Sequence, residues 1–407
     1  MIKLILSVFL ALIGSTVLAA GPIQLTVHGG DRAQTRAIVT FTAPKEWKGE
    51  HTLSGRDGTV VSMLQVDAEG RAVMIVPQIG AGENLQFKEA PSSPPIAPYG
   101  LTVEKAGDVL HFTHHQEGKK RPVFDYQMEA GPVPKGVSEV FKHGAHLHPV
   151  FTPNGKLVTG NHPADHRWHR GIWMAWTKTE FEGSHPDFWN QGKGPDGTLT
   201  AEVQFKSLVK SWGGPVQAGF ISQHRFVDRP SGQEKAVLDE TWEVTAYALN
   251  SGDSPAFILD LVSTQTCAGA SPLKLPTYHY GGLGVRGHAQ WDPVDQVTML
   301  TSNGDDRKKG DSTKAKWVHM GGVLEGQPAG MAILIHPSNF RFPQPLRLNP
   351  KNPQLCIAPS QDGDWSIEPD TPYVSKYRFL ITDGPAEAAA IEAAWESYAQ
   401  PLKVTLE

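Results

Sequence analysis

Short apolar runs that alternate with polar residues begin near Ile23 and recur along most of the chain. Gln24-Leu25-Thr26-Val27, Ala37-Ile38-Val39-Thr40-Phe41, Val60-Val61-Ser62-Met63-Leu64 and Ala72-Val73-Met74-Ile75-Val76 are punctuated by Gly29-Gly30 and Glu69-Gly70. A period of two between turn signals predicts an antiparallel sheet with one buried face. Residues 91–98 are rich in proline and serine and are read as a linker that closes a small N-terminal β module. Alternation resumes at 101–103, 109–112, 123–126 and 145–150. Further strands are predicted at 172–177, 199–205, 219–226, 240–248, 257–265 and 331–335. Strands of these lengths and spacings predict one large sandwich. The pattern changes to a helical one only at 386–399, which is rich in Ala and Glu and opened by Asp383-Gly384-Pro385. Ile391, Trp395 and Tyr398 share one face of that helix, and this face is expected to pack on the sandwich.

The first twenty residues break this pattern. Lys3, an apolar run from Leu4 to Ile13 and the small residues around Ala19-Ala20 have the order of an export signal. The apolar run is short for a membrane span, and no later run approaches one. The expected division is therefore 1–20 signal peptide, 21–98 β module with linker, and 99–407 sandwich with its C-terminal helix. A periplasmic or secreted product with no membrane span after cleavage follows from that reading.

Composition adds little to the fold and more to the partners. With 39% apolar and 19% charged residues, the chain has material for a substantial core. A formal net charge of -5 argues against a nucleic-acid partner, because phosphate binding wants a basic surface. Cys267 and Cys356 are the only cysteines, and an oxidising compartment permits a disulfide between them. That bridge is the expectation, with two buried thiols as its alternative.

Candidate chemistry concentrates in residues 161–190, N-H-P-A-D-H-R-W-H-R-G-I-W-M-A-W-T-K-T-E-F-E-G-S-H-P-D-F-W-N. Imidazoles transfer protons near neutral pH or ligate metals, and indole faces stack on sugar rings. Mixed in one stretch, they predict a wall of a binding or catalytic cleft, with Trp173 among its ligand contacts. His162, His166 and His169 stand at i, i+4 and i+7, framed by Pro163 and Gly171. On a two-turn helix they would share a face, and a divalent metal is the one cofactor they would suit, with Asp165 or a distant carboxylate completing the shell. A hydrogen-bonded histidine cluster is the other reading. A second group, P-T-Y-H-Y-G-G-L-G-V-R, offers His279, Tyr280 and Arg286 beside glycines that let backbone approach closely. A third, H-P-S-N-F-R-F-P, brings His336, Asn339 and Arg341 to the end of an apolar strand, where loops commonly carry function.

Taken jointly, H-P-V-F-T-P-N-G, N-H-P-A-D-H-R-W-H-R-G-I-W-M-A-W, Y-H-Y-G-G-L-G-V-R and H-P-S-N-F-R-F-P resemble the PmoA-like bacterial family, a domain of unknown function, over roughly residues 124–384. More distantly, the order is similar to the galactose-mutarotase-like superfamily. In that superfamily a His-containing turn leads to a Trp strand, and a later segment carries a catalytic His before an aromatic. Here these positions are His169-Arg170-Gly171 through Trp176, and His279-Tyr280, while no residue matches the mutarotase general-base glutamate. The resemblance implies an all-β galactose-mutarotase-like β-supersandwich that takes a saccharide. Combined with the residues themselves, it predicts an exported carbohydrate-active enzyme of epimerase, lyase or hydrolase type. His169, His279, Tyr280 and Arg170 would be catalytic, and His166, Trp173, Arg286, His336, Asn339 and Arg341 would hold substrate. A non-catalytic sugar-binding protein and a His-ligated metalloenzyme are the alternatives.

Overall fold

The computed structural model describes residues 22–55, 58, 61–90, 100–191, 198–249 and 255–407. The expected leader and the Pro/Ser-rich linker lie outside them. Two antiparallel sheets face each other across one apolar core. The first has nine strands, ordered Lys314–Ala315, Gln344–Leu348, Gln354–Ile357, Gly282–Arg286, Ile172–Ala175, His146–Val150, Lys119–Gln127, Val109–Gln116 and Gly100–Ala106. The second has eight, ordered Ala201–Trp212, Gln217–Asp228, Lys235–Leu249, Ala256–Cys267, Tyr373–Asp383, Gln327–Ile335, Trp317–Leu324 and Val297–Thr301. Phe112, Phe124 and Tyr126 from the first interlock with Phe220, Trp242 and Phe379 from the second. The rings of Phe112 and Phe124 stack at 4.1 Å, as do those of Tyr126 and Phe220. This is the predicted all-β supersandwich.

Strand alternation decides what the outer face of the nine-stranded sheet presents. Ile172, Met174, Leu283, Val285, Leu346 and Leu348 enter the shared core. Their neighbours Trp173, Arg286 and Arg347 therefore project the other way, since successive side chains leave a strand on opposite faces. Residues 176–191 fold back over that outer face. Trp173, Trp176, Phe188, Trp189 and Cys356 build a smaller core there. Trp173 pairs with Gly284 across neighbouring strands. A Cβ on Gly284 would come within 2.7 Å of the Trp173 ring and 2.6 Å of Trp189, so only glycine admits both indoles.

The N-terminal sheet contains the four expected strands and two more, Gly49–Gly55 and Asn84–Glu89. Its seventh strand comes from the far end of the chain: Lys403–Leu406 pairs with Gln24–His28. The helix runs Ala388–Ala399, and Ile391, Trp395 and Tyr398 do pack on the eight-stranded sheet. Trp395 also donates its indole N–H to the Ile335 carbonyl at 2.9 Å.

Two expectations are corrected. Residues 161–171 form turns and isolated bridges, not a helix, because the His162 N–H bonds the His169 carbonyl and Asn161 bridges to Arg170 within the segment. Both cysteines are free. Cys356 is buried in a strand, and Cys267 Sγ donates to the Ile367 carbonyl. No helix among the described residues is long and apolar enough to cross a membrane.

Candidate functional site

A cleft of about 520 Å³ opens on the outer face of the nine-stranded sheet. The turn 163–169 supplies His166, Trp168 and His169, and the fold-back supplies Trp189 and Asn190. His279 and Tyr280 come from the loop before Gly282–Arg286, and Arg347, Asn349 and Gln354 from the two strands beyond. A second, more open hollow of about 1040 Å³ shares His166, Arg347 and Asn349 with the first. Together they form one groove.

At its centre the rings of His166 and His169 stack, with centroids 4.6 Å apart. Asp165 Oδ2 lies 2.9 Å from His166 Nδ1 and accepts from Asn352 Nδ2 at 2.5 Å. Arg286 donates to both Asp165 oxygens, at 3.0 and 3.3 Å, and also pairs with Asp292. Burial would raise the Asp165 carboxyl, but the Arg286 hydrogen bonds and charge, helped by His166 and Asn352, hold it well below the usual carboxylate range. An ionised Asp165 favours a proton on His166 Nδ1, which leaves Nε2 as an acceptor. Arg286 Nη1 stands 3.4 Å from His169 Nδ1. A guanidinium can only donate, so this contact is served by the His169 tautomer whose Nε2 carries the proton. The stacked pair thus sets an acceptor nitrogen beside a donor.

Tyr280 is placed by Asn190, whose Nδ2 donates to the phenol oxygen at 3.0 Å and to Asp187 at 2.6 Å. Burial pushes the phenol upward, so it works as a neutral group. Trp189 lies edge-on to it at 5.6 Å. His279 stands exposed at the rim, held low by partial burial and by Arg347.

The cleft therefore gathers His166, His169, His279 and Tyr280, and the other expected residues stand elsewhere. Arg286 is fully buried and bound to two carboxylates, so it positions Asp165 and His169 instead of touching a ligand. Arg170 points away from its neighbour His169 into a buried cluster with His143, His146 and His162. Burial lowers it to about 10, against the raising charges of Glu202 and Glu240. Trp173 is buried beneath His169, 5.3 Å ring to ring. His336 abuts Tyr398 of the C-terminal helix at 5.1 Å. Asn339 is buried and staples Lys376 backbone through both of its amide atoms at 2.9 Å. Arg341 donates to the Pro359 and Gly363 carbonyls at 2.7 and 2.8 Å, latching a loop whose Gln361 in turn holds the His279 carbonyl. The metal expectation also fails geometrically. His162 stacks on His143 at 4.2 Å and bonds the Arg167 carbonyl, away from the other two imidazoles. Among the described residues no three His, Cys, Asp or Glu side chains converge as ligands.

Sequence reading missed Trp168, Trp189, Asn190, Arg347, Asn349 and Gln354. The alternation Leu346-Arg347-Leu348-Asn349 carried a signal for two of them, since leucines facing the core turn their neighbours outward.

The buried imidazoles have a measurable consequence. Burial first, then neighbouring positive charge, lowers His148 to about 4, and burial alone does the same to His319. His143 and His146 are lowered as well, again mainly by burial. Each takes up a proton more readily when unfolded, near 6.5, than when folded. Their contribution is therefore complete above that value and is lost as pH falls from 6.5 towards 4. For His148 and His319 the expected loss at pH 5 is roughly 2 kcal/mol each. Urea unfolding at pH 7.5 and pH 5 checks this; equal stability at both would contradict it.

A comparison with curated proteins finds no match. Among solved structures the chain is similar to an α-mannosidase from Enterococcus faecalis V583, with 11% identity and a TM-score of 0.43. That alignment covers 95% of this chain and 46% of the other. It is also similar to a protein in the glycosyl hydrolase family 38 from Enterococcus faecalis, with 10% identity, a TM-score of 0.40 and coverage of 95% and 47%. The chain thus spans less than half the length of either. The PmoA-like family expected from the motifs is not what the family comparison shows. Its match spans residues 114–396, which takes in the whole groove, and on that match the chain belongs to the family of unknown function DUF6807.

Proposed function

We propose that the chain is an exported carbohydrate-active enzyme that moves protons on a saccharide, in the manner of an epimerase or a lyase. One observation carries this reading. His166 and His169, from one segment, share a cleft with His279 and Tyr280, from a segment more than a hundred residues away, beside the indoles of Trp168 and Trp189. Of the two indoles Trp189 is buried, so the apolar face of a sugar ring would meet Trp168, and imidazoles suit proton transfer at neutral pH. His166 Nε2, backed by the ionised Asp165, would remove a proton from the sugar. His169 Nε2–H would donate to the oxygen on which negative charge develops. Hydrolysis by paired carboxylates is less well supported, because the groove's two carboxylates, Asp165 and Asp292, are both engaged by Arg286. The groove formed with the second hollow has room for more than one sugar unit.

The test is a panel of saccharides incubated with the protein in deuterated water, followed by NMR and mass spectrometry. Deuterium at a sugar carbon supports epimerisation, and an unsaturated product supports elimination. Saccharide binding without any turnover would replace the enzyme with a sugar-binding protein.

A further inference from the structure

Three side chains line both hollows of the groove and so stand at their junction: His166, Arg347 and Asn349. Strand alternation puts Arg347 there, because Leu346 and Leu348 on either side of it enter the core. Asp311 takes one guanidinium nitrogen, Nη1, and lines neither hollow. Nε and Nη2 keep no hydrogen-bond partner among the described residues, and neither is sealed from solvent. Asn349 Oδ1 accepts from the Lys351 backbone at 2.9 Å, while its Nδ2 stays open. Lys351 is exposed on the wall of the second hollow and makes no ion pair among the described residues. The carboxylates of the groove, Asp165 and Asp292, are both committed to Arg286. The junction thus offers cations and an amide donor, with no free carboxylate to answer them.

Proton transfer from a sugar carbon needs such a cation. A ring C–H bond of a neutral pyranoside is far too weak an acid for imidazole. It comes within reach only where a neighbouring carbonyl or carboxyl group takes up the electron pair. In a uronate the C6 carboxylate does this for C5–H, but removal of the proton adds a second negative charge to a group that already carries one. A guanidinium on the carboxylate offsets that charge, and its fork matches two carboxylate oxygens.

We propose that the saccharide taken by this groove is a uronate, its carboxylate on Arg347 Nε and Nη2 with Asn349 and Lys351 beside it, and its C5–H against His166. The inference rests on the proton-transfer reading of the same site. His166 Nε2 takes the C5 proton, and the C–H electron pair moves into the C5–C6 bond as the carboxyl oxygens gain the charge. A proton delivered to the opposite face of C5, with the first released from His166, completes an epimerisation. For elimination the pair instead forms a C4=C5 bond and the C4–O bond breaks with its electrons on oxygen. That oxygen takes up a proton, which balances the one left on His166. Neither path needs an oxidant, a reductant or a further reactant.

The test uses the full chain with oligosaccharides of glucuronate, galacturonate and mannuronate, each beside its counterpart reduced at C6 to the neutral hexose. Calorimetry measures binding, and NMR in deuterated water follows exchange at C5 and formation of a 4,5-unsaturated unit. At least one uronate is expected to bind about tenfold more tightly than its neutral counterpart, to weaken with added salt, and to show one of the two changes. Arg347→Gln, which keeps an amide donor towards Asp311, is expected to weaken that uronate about tenfold and its neutral counterpart hardly at all. Lys351→Gln changes an exposed side chain and should leave the fold intact; it is expected to weaken the uronate about threefold and to flatten the salt dependence. Neutral counterparts that bind or react as well as the uronates, or uronate affinity unaltered in both variants, overturn the proposal and leave the proton-transfer reading standing. Uronate binding that depends on Arg347, with neither exchange nor unsaturation, upholds the carboxylate site and overturns the proton-transfer reading. Binding of no member overturns both.

Discussion

Turnover of a saccharide substrate is expected to fall about 10²–10⁴-fold in His169→Ala and by a similar factor in His166→Ala, the usual worth of a positioned acid or base. The two rings stack at 4.6 Å, yet they are set up for opposite tasks. Asp165 sits against His166 Nδ1, and Arg286 against His169 Nδ1. Asp165→Asn removes the ionised acceptor behind His166, so it should lower kcat while leaving KM nearly unchanged, which steady-state kinetics on a confirmed substrate would measure. His279 is exposed at the rim. Its replacement by alanine is expected to act more on KM than on kcat, as loss of a binding contact does. Full activity of both His166→Ala and His169→Ala on a confirmed substrate would remove the catalytic assignment. The cleft would then be a binding surface.

Glu240→Ala is expected to destabilise the protein by about 3–5 kcal/mol, since three buried donors lose their acceptor at roughly 1–3 kcal/mol each. Glu240 and His224 are wholly buried and joined at 2.9 Å. The same carboxylate accepts from Ser263 at 2.6 Å and from Gln265 at 2.8 Å. Gln265 then accepts from the Trp176 indole at 2.8 Å, while His224 Nε2 meets the Tyr126 hydroxyl at 2.8 Å. One carboxylate therefore ties the inner face of the nine-stranded sheet to the segment that folds back beside the cleft. Its loss leaves His224, Ser263 and Gln265 buried without their acceptor. It also removes one of the two carboxylates whose charge offsets Arg170. Urea unfolding measures the effect, and a change below about 1 kcal/mol would contradict the network's role.

Much of the fold was legible along the chain because strand faces repeat every two residues and the core takes one face. Phe112, Phe124 and Phe220 lie in predicted strands and meet in the core. The helix face of Ile391, Trp395 and Tyr398 was legible for the same reason, with a helical period. The small strands Gly49–Gly55 and Asn84–Glu89 were not, since G-E-H-T-L-S-G and N-L-Q-F-K-E carry too few apolar residues to stand out. Nor was Lys403–Leu406, because pairing with Gln24–His28 is a contact between the two ends of the described chain.

Residue types were equally legible in the candidate site: the clustering of imidazoles and indoles at 161–190 and of His279-Tyr280 drew the eye to segments that do share a cleft. Which side chains face it was not. Helical spacing suggested that His162, His166 and His169 converge, but backbone pairing of His162 with His169 holds 161–171 in turns and sends His162 to His143. Arg286 looked like a ligand-binding cation, yet Asp165 and Asp292, one distant and one near in sequence, take up its charge. Gln354 enters the groove from the strand next to Gly282–Arg286, and Arg347 and Asn349 from the next strand out and the residue that follows it. Local pattern reports the face on which a side chain leaves its own strand, whereas strand order and the pairing of charges across long separations select its neighbours. Those neighbours set Asp165 against His166, Arg286 against His169, and two carboxylates around Arg286.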